Sequence, residues 1–332
     1  MLDFVITIGP ATRDINMLRE LVKTGATIFR LNFSHNVHEW YDNLFSDLTT
    51  IKDEFPHIKV LADISGPSLR IITPEQKEIV AIKGMFLVFD ENDNNSCTFT
   101  LPGVISQLPV GSNIIFGEGY GRAEVIGNTG TKATIKFLED FVIKHRMHLH
   151  TTAHIQTAAL TEKDWLDLHY VQNKPIDMVA LSFVQDRAPI DEVRNFFTKA
   201  GHMLPIVSKI ETQAAMDNLD ELVQASDWLM VARGDLALEA ELTELPKNQE
   251  RIIQAGKKSN KPVIVATQML YSMVNNPMPS RAEINDIALA VRQGASGVML
   301  SDETTTGKFP LQAVHYLKVV AEAQMKRMES EE

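Results

Sequence analysis

Short apolar segments alternate with amphipathic segments along most of the chain. A short apolar run bounded by turn residues is typical of a strand buried on both faces, whereas apolar residues spaced three and four apart indicate a helix. The pattern predicts eight buried strands: Phe4–Ile8, Ile28–Asn32, Val60–Asp63, Met178–Ser182, Ile206–Lys209, Trp228–Ala232, Val263–Thr267 and Gly297–Leu300. Eight strand–helix units predict a closed (β/α)8 TIM barrel, and the alternative is an open doubly wound α/β sheet.

The alternation of apolar and amphipathic segments is interrupted between residues 71 and 143. This segment is rich in β-branched and aromatic residues in short runs, and turn residues recur between the runs. Such spacing is typical of short strands and hairpins, and no helix is predicted there. We therefore expect a small inserted all-β domain at 71–143, with the barrel domain formed by 1–70 and 144–332.

Composition narrows the classes of protein that remain. The chain has 332 residues and a formal net charge of -11, which disfavours a nucleic-acid binder. Cys97 is the only cysteine, so no intramolecular disulfide can form. No apolar run approaches the roughly 20 residues that a membrane helix needs. With no signal peptide at the N-terminus, the sequence predicts a cytoplasmic protein without membrane partners.

Polar and ionisable residues follow the predicted strands. Because the carboxyl ends of barrel strands meet at one mouth, where catalytic groups of such barrels lie, these residues are expected to form a functional site. They are Arg30, Asn32, Ser34, Asp63, Arg70, Lys209, Glu211, Arg233, Gly234, Asp235, Thr267, Ser301 and Glu303.

The residue types suggest a class of chemistry. Glu211 and Asp235 offer carboxylate oxygens, which suit Mg²⁺ or Mn²⁺ better than zinc. Arg30, Arg70 and Lys209 offer positive charge to a phosphate or carboxylate. Metal and cations without an evident nucleophile fit phosphoryl transfer, and the same set would also stabilise an enolate.

Several segments resemble the motifs of pyruvate kinase. These are Ile6–Thr12, Phe29–His35, Ser208–Glu211, Met230–Leu236, Ala266–Leu270, Ser280–Glu283 and Met299–Thr304. The resemblance implies a barrel with an inserted β lid domain. It also implies phosphoryl transfer between phosphoenolpyruvate, or a related enol phosphate, and ADP, with Mg²⁺ or Mn²⁺ as cofactor. The partners would be phosphoenolpyruvate, pyruvate or a related 2-oxo acid, and ADP or ATP.

The resemblance also implies roles for individual residues. Lys209 would neutralise the transferred phosphoryl group, Arg30 would contact it, and Thr267 would help to deliver a proton to the enolate carbon. The other implied roles are substrate binding by Arg233, Gly234, Asp235, Ser301 and Glu303, nucleotide binding by Arg70, His35 and Pro10, divalent metal binding by Glu211 and Asp235, and monovalent cation binding by Asn32, Ser34 and Asp63.

The chain departs from the family pattern in three places. The family loop Asp-Thr-Lys-Gly-Pro-Glu here reads Asp-Ile-Ser-Gly-Pro-Ser over Asp63–Ser68, which leaves open whether K⁺ binds. The chain ends soon after the eighth helix, so the family's C-terminal regulatory domain is expected to be absent, and a homo-oligomer is left open. The family hinge Gly-Val-Asn-Leu-Pro-Gly is replaced by His145–His150, with His154 beyond.

The histidine-rich segment has two interpretations. His148 and His150 alternate, which puts both rings on one face of a strand and allows metal binding. The interpretation we favour from sequence is a polar, partly exposed linker, because a metal site needs a third ligand that the sequence does not identify. Similarly, Gly117–Gly119 either touches the nucleotide or forms a plain hairpin turn.

Three functions therefore compete. The first is a pyruvate kinase-like phosphotransferase. The second is a metal-dependent lyase or decarboxylase acting on a 2-oxo acid without nucleotide, suggested by the loss of lysine and glutamate from the Asp63–Ser68 loop. The third is a non-catalytic sensor or binding protein derived from such an enzyme. Nucleotide binding separates the first two, and metal binding argues against the third.

Overall fold

Parallel strands surrounded by helices account for most of the chain in the computed structural model, which describes residues 2–34, 37–93, 95–117, 119–151, 153, 155–156, 160–239 and 242–331. The strands are β1 (Asp3–Thr7), β2 (Ile28–Asn32), β3 (Lys59–Ile64), β4 (Ile71–Ile72), β5 (Ile79–Ala81), β6 (Phe86–Asp90), β7 (Thr98–Phe99), β8 (Asn113–Phe116), β9 (Gly121–Asn128), β10 (Lys132–Phe137), β11 (Phe141–Ile143), β12 (Leu149–Thr151), β13 (Met178–Leu181), β14 (Ile206–Ile210), β15 (Trp228–Ala232), β16 (Val263–Ala266) and β17 (Gly297–Leu300).

The helices lie mostly between the barrel strands. They are α1 (Ile15–Thr24), α2 (His38–Glu54), α3 (Glu162–Val171), α4 (Ala188–Lys199), α5 (Gln213–Asp217), α6 (Leu219–Ala225), α7 (Arg233–Glu239), α8 (Leu245–Lys258), α9 (Arg281–Gln293), α10 (Asp302–Thr305) and α11 (Pro310–Glu331). Short 3₁₀ turns occupy Pro74–Gln76, Ile105–Gln107, Leu242–Glu244 and Tyr271–Val274.

Eight strands close into a barrel in the order β1-β17-β16-β15-β14-β13-β3-β2, and all of the pairings are parallel. The predicted (β/α)8 barrel is therefore confirmed, and the alternative of an open doubly wound sheet is wrong. Alternate side chains of the strands fill the barrel interior, as the pleat requires. They are Val5, Ile28, Leu61, Met178, Ala180, Val207, Met230, Ile264, Ala266 and Met299.

Local sequence signals set the helix ends around the barrel. The Asp14 side chain caps α1 by accepting hydrogen bonds from two backbone amides, and Gly25 ends that helix with a φ of 137°. Helix α9 begins with a capping box in which Ser280 and Glu283 bond each other's backbone amides. These caps fix the points at which each helix leaves the preceding strand.

The chain divides into two compact units. The first, which we call the barrel unit, comprises Met1–Gly66, Leu160–Arg233 and Leu245–Glu332. The second, the β unit, comprises Pro67–Ala159 together with Gly234–Glu244.

The β unit is built on a five-stranded sheet of order β12-β8-β9-β10-β6, with the two-stranded pairs β11-β5 and β4-β7. Phe89, Phe99, Phe116 and Phe137 are buried in its core. In the described part of 71–143 the helical segments are the 3₁₀ turns Pro74–Gln76 and Ile105–Gln107, and the rest consists of strands, turns and loops. Cys97 is also buried here, and burial raises the pKa of its thiol to about 11, so the thiol stays protonated at neutral pH.

No helix in the described ranges is both long enough and apolar enough to cross a membrane.

Candidate active site

An ion-pair network lies at the carboxyl ends of three barrel strands. Arg30 on β2 and Asp63 on β3 are both buried, and Arg30 Nε donates to Asp63 Oδ2 at 2.7 Å. A second guanidinium nitrogen, Nη2, lies 2.7 Å from the same oxygen. Lys209 on β14 brings its ammonium to 3.6 Å from Asp63 Oδ1. Three residues predicted from the strand ends are thus brought together.

Ser182 links the members of this network. It follows β13, and its hydroxyl accepts a hydrogen bond from Lys209 Nζ at 2.7 Å. The same hydroxyl lies 2.7 Å from the carbonyl oxygen of Ile64, to which it donates, and 3.3 Å from Asp63 Oδ1. Sequence reasoning placed Ser182 at the end of the fourth strand but did not select it. The strand-end rule, applied to this strand, would have found it.

Glu211 supplies the second carboxylate beside Lys209. Its side chain is fully buried, Oε1 accepts from the backbone amide of Phe183 at 2.5 Å, and Oε2 lies 3.3 Å from Lys209 Nζ. The Lys209 ammonium is therefore held between Asp63 and Glu211. Because buried charges are tolerated only when paired, it matters that each cation of the network has a carboxylate partner at the barrel mouth.

The pKa of Asp63 shows the balance of forces in the network. Burial opposes its ionisation, but the charges of Lys209 and Arg30, with hydrogen bonds from Arg30 and Ser182, outweigh burial and hold its pKa below the usual 3.8. Asp63 is therefore an anion at every physiological pH.

Thr267 and Arg233 meet at the ends of β15 and β16. Thr267 has a φ of 70°, which a β-branched residue adopts only when its surroundings enforce it. The buried guanidinium of Arg233 donates to the Thr267 carbonyl through Nε at 3.2 Å and Nη2 at 2.5 Å, while its Nη1 pairs with Asp286 at 2.6 Å. The Arg233 side chain therefore braces the loop that carries Thr267.

Glu303 and Ser301 were both predicted to bind substrate. The buried Glu303 carboxylate accepts from the amides of Leu270 and Ser301 at 2.9 and 2.8 Å, which ties the loop after β16 to the end of β17. Burial raises the pKa of Glu303. The Ser301 hydroxyl oxygen is buried and has no hydrogen-bond partner within the described residues.

The residues predicted to bind a monovalent cation lie near a lysine that sequence reasoning did not select. Asn32 Oδ1 accepts from the amide of Ser34 at 3.1 Å. The ammonium of Lys163, on α3, lies 2.7 Å from the carbonyl oxygen of Phe33 and 3.3 Å from Ser65 Oγ. Positive charge is thus already present beside this segment. The same ammonium pairs with Asp167, four residues further along α3, at 2.6 Å. Its contacts with Phe33 and Ser65 join residues remote along the chain, so no local sequence signal marks them.

Of the predicted nucleotide-binding residues, Pro10 is exposed just beyond β1, and His35 lies outside the described residues, as do Glu118 and His154. Arg70 belongs to the β unit, where its Nη1 donates to the carbonyl of Arg146 at 2.9 Å. Burial lowers the pKa of Arg70, the charge of Arg146 lowers it further, and the charge of Asp235 acts in the opposite direction.

The histidine-rich segment forms a cluster within the β unit. One potential ligand atom each from His148, His150 and Asp235 lies within 4.8 Å of the others. His150 Nδ1 is also 3.2 Å from Glu239 Oε1. His145 is turned elsewhere, because its Nδ1 accepts from the amide of Thr73 at 3.3 Å. Asp235 is the third group that sequence reasoning lacked.

The sequence matches a known protein family along most of its length. The model of the pyruvate kinase barrel domain matches residues 2–314. Pyruvate kinase of Mycobacterium intracellulare is 35% identical over 93% of this chain and 67% of its own length. Pyruvate kinase of Thermotoga maritima is 33% identical over 98% of this chain and 71% of its own length. Pyruvate kinase isozyme G of Nicotiana tabacum is 33% identical over 96% of this chain and 58% of its own length.

The chain therefore spans between 58 and 71% of the length of these three relatives. The family match covers nearly all of the barrel unit and continues through the β unit. It agrees with the motifs at the strand ends and with the closed barrel that carries them. This chain belongs to the pyruvate kinase family.

Proposed function

We propose that this protein transfers a phosphoryl group between phosphoenolpyruvate, or a related enol phosphate, and ADP. Membership of the pyruvate kinase family supports the reaction class. The observation that carries the proposal is the Lys209 ammonium, held at the barrel mouth between the buried carboxylates of Asp63 and Glu211 and sharing Asp63 with Arg30. The lyase and the non-catalytic alternatives are not favoured by the comparisons, since the relatives named above are kinases.

The two cations suit the charge that phosphoryl transfer develops. The bond between phosphorus and the enol oxygen breaks, a bond to a terminal phosphate oxygen of ADP forms, and the enolate carbon then takes a proton to give pyruvate. Negative charge spreads over the equatorial phosphoryl oxygens in the transition state. Lys209 and Arg30 are held in place before the reaction, so they stabilise that charge without reorganisation.

A divalent metal is consistent with the donors present. Glu211 offers a buried carboxylate, the type of ligand that Mg²⁺ and Mn²⁺ prefer. When bound there, such an ion would supply positive charge to the phosphoryl and enolate oxygens. Asp235, the other ligand that the resemblance implies, belongs to the β unit, and its pairing with Glu211 stays a prediction.

Thr267 is the residue to which we assign proton delivery. Its strained backbone is braced by Arg233, and strain of this kind persists where the position of a side chain matters for function. The proposal gives Arg233 a positioning role, and leaves the backbone of Gly234 and Asp235 for the substrate carboxylate.

The first test is ATP formation from phosphoenolpyruvate and ADP with Mg²⁺ or Mn²⁺. We expect turnover by the wild type, and a loss of about 10²–10³-fold or more in kcat for Lys209→Met, because one preorganised charge is removed from the transition state. The control is Lys199→Met, which removes an exposed lysine at the end of α4 and should leave kcat unchanged.

Failure of the wild type to form ATP from phosphoenolpyruvate and from other enol phosphates would contradict the proposal. So would a Lys209→Met variant with wild-type turnover.

A further inference from the structure

Two departures from the family pattern meet in the β unit. His148 and His150 come from the segment that replaces the family hinge, and Ser68 replaces the glutamate of the family loop. In the structure Ser68 Oγ lies 3.3 Å from His148 Nδ1, and His150 Nε2 lies 3.8 Å from Asp235 Oδ1. The two histidines therefore lie beside one carboxylate, and Ser68 contacts the first of them.

Four side chains of this cluster come from two short elements, a strand and a helix, and the spacing in each element places its two side chains on one face. They are His148, His150, Asp235 and Glu239. His148 and His150 are two residues apart at and beside β12, so both rings project from one face. Asp235 and Glu239 are four residues apart on α7, which places both carboxylates on one face of the helix. The two rings lie 6.3 Å apart and are within 24° of parallel.

The separation of His150 and Asp235 is informative. At 3.8 Å, Nε2 and Oδ1 are too far apart for a direct hydrogen bond. Two ligands of one tetrahedral ion with bonds of about 2.0–2.1 Å lie about 3.3 Å apart, so a small side-chain adjustment would seat an ion between them.

The outer contacts of the histidines match those of metal ligands. Ligating histidines usually donate their second ring N–H to a carboxylate or another acceptor, which fixes the tautomer. Glu239 Oε1 lies 3.2 Å from His150 Nδ1, and Ser68 Oγ stands in the same relation to His148 Nδ1. Because Nδ1 of each ring is taken up by this outer contact, Nε2 is the atom left to bind the metal. His150 is 3% exposed, so its position is fixed by packing.

We propose that His148, His150 and Asp235 bind a transition-metal ion of the zinc class, with Glu239 and Ser68 as supporting contacts. Imidazole selects transition metals, whereas Mg²⁺ prefers oxygen ligands, so this site differs in its two histidine ligands from the carboxylate site of the proposed kinase reaction, with which it would share Asp235. Three protein ligands leave a further coordination position for water or another small ligand.

The test is Co²⁺ binding to the metal-depleted full chain, without substrate or nucleotide and with excess Mg²⁺ present. We expect one Co²⁺ per chain, with the strong visible absorption of a low-coordinate ion bound to imidazole, and displacement by one equivalent of Zn²⁺. His148→Gln and His150→Gln should each weaken binding at least about 100-fold. Glu239→Gln should weaken it about 10–100-fold, as for other outer contacts.

Two variants serve as controls. His145→Gln removes a histidine of the same segment that faces Thr73, and it should bind Co²⁺ as tightly as the wild type. Glu211→Gln, which alters the barrel unit, should also leave Co²⁺ binding unchanged. The readout needs no turnover, so a failure of the proposed kinase reaction would leave this result intact.

Wild-type affinity in both His148→Gln and His150→Gln would overturn the proposal. If these variants do not fold, X-ray absorption of the wild-type Zn²⁺ complex decides the matter, because the proposal requires two histidine ligands. Fewer than two would refute it.

Discussion

Asp63 is the buried anion on which the barrel mouth depends. Since its folded pKa lies below its unfolded value, its contribution to stability is complete above the unfolded pKa and is lost as pH falls through the folded pKa. Asp63→Asn would leave Arg30 and Lys209 short of a buried partner. We expect it to lower the free energy of unfolding by about 3–5 kcal/mol at neutral pH.

Urea denaturation at a series of pH values measures both the destabilisation by Asp63→Asn at neutral pH and the loss of stability in acid. Below about pH 4 the wild type should lose stability faster than Asp63→Asn, because only the wild type has this carboxylate to protonate. Asp53→Asn, at an exposed position on α2, is the matched control and should keep the wild-type profile. Parallel acid profiles for Asp63→Asn and wild type would show that Asp63 is not the responsible group.

The position of Lys163 bears on whether the protein needs K⁺ for turnover. Its ammonium contacts Phe33 and Ser65, between and beside the residues predicted to bind a monovalent cation. Although this ammonium also pairs with Asp167 at 2.6 Å, it places a protein cation beside the residues predicted to bind K⁺, so we expect ATP formation without K⁺. Lys163→Met should lower K⁺-free turnover at least about tenfold and make turnover respond to added K⁺, since one lost charge contact costs about 1.4 kcal/mol or more.

The measurement is the rate of ATP formation by the wild type and by Lys163→Met, at fixed Mg²⁺ and ADP, with and without K⁺. Lys174→Met removes a nearby lysine that pairs with Asp42 and should keep the wild-type response. A wild type that turns over only with K⁺ would show that Lys163 does not substitute for the cation.

At the scale of elements, the loop after β3 passes very close to the end of β13. Gly66 has a φ of 65°, and a Cβ there would lie 2.5 Å from the carbonyl oxygen of Ser182. Gly66→Ala should therefore push Ser182 away from Lys209, lowering kcat as well as the free energy of unfolding by about 1–3 kcal/mol.

Gly201→Ala separates backbone strain from this clash. Gly201 has a φ of 83° but nothing within 4 Å of a Cβ, so its substitution carries only the conformational cost. Thermal unfolding and kcat are measured for both variants. We expect a fall in kcat for Gly66→Ala alone, and equal kcat values would show that the close approach does not position Ser182.

The elements were predictable where local sequence determines them. The barrel strands were placed to within about one residue, because each is an apolar run bounded by turn residues. Contacts between remote residues were not predictable in this way. The hydrogen bond from Lys163 to the Phe33 carbonyl, and the one from the Leu270 amide to Glu303, form only because the fold makes their elements adjacent.

For the whole molecule, sequence order was a poor guide to which residues share a unit. Residues Gly234–Glu244 group with the β unit although the chain between them and Ala159 belongs to the barrel unit. That grouping brings Asp235 to His148 and His150. The alternating histidines were visible in the sequence, but their third partner was not, because no periodicity connects a strand to a helix so far along the chain.

Closure of the barrel has a consequence for biosynthesis. Strand β1 pairs with β17, so one of its two neighbours emerges from the ribosome long after β1 itself. At about 5–20 residues per second, β1 waits roughly 15–60 seconds for that partner. Throughout this interval the nascent sheet has open edges able to pair with other chains. Production of this protein in active form is therefore expected to depend on chaperones that shield those edges, and on temperatures that slow aggregation.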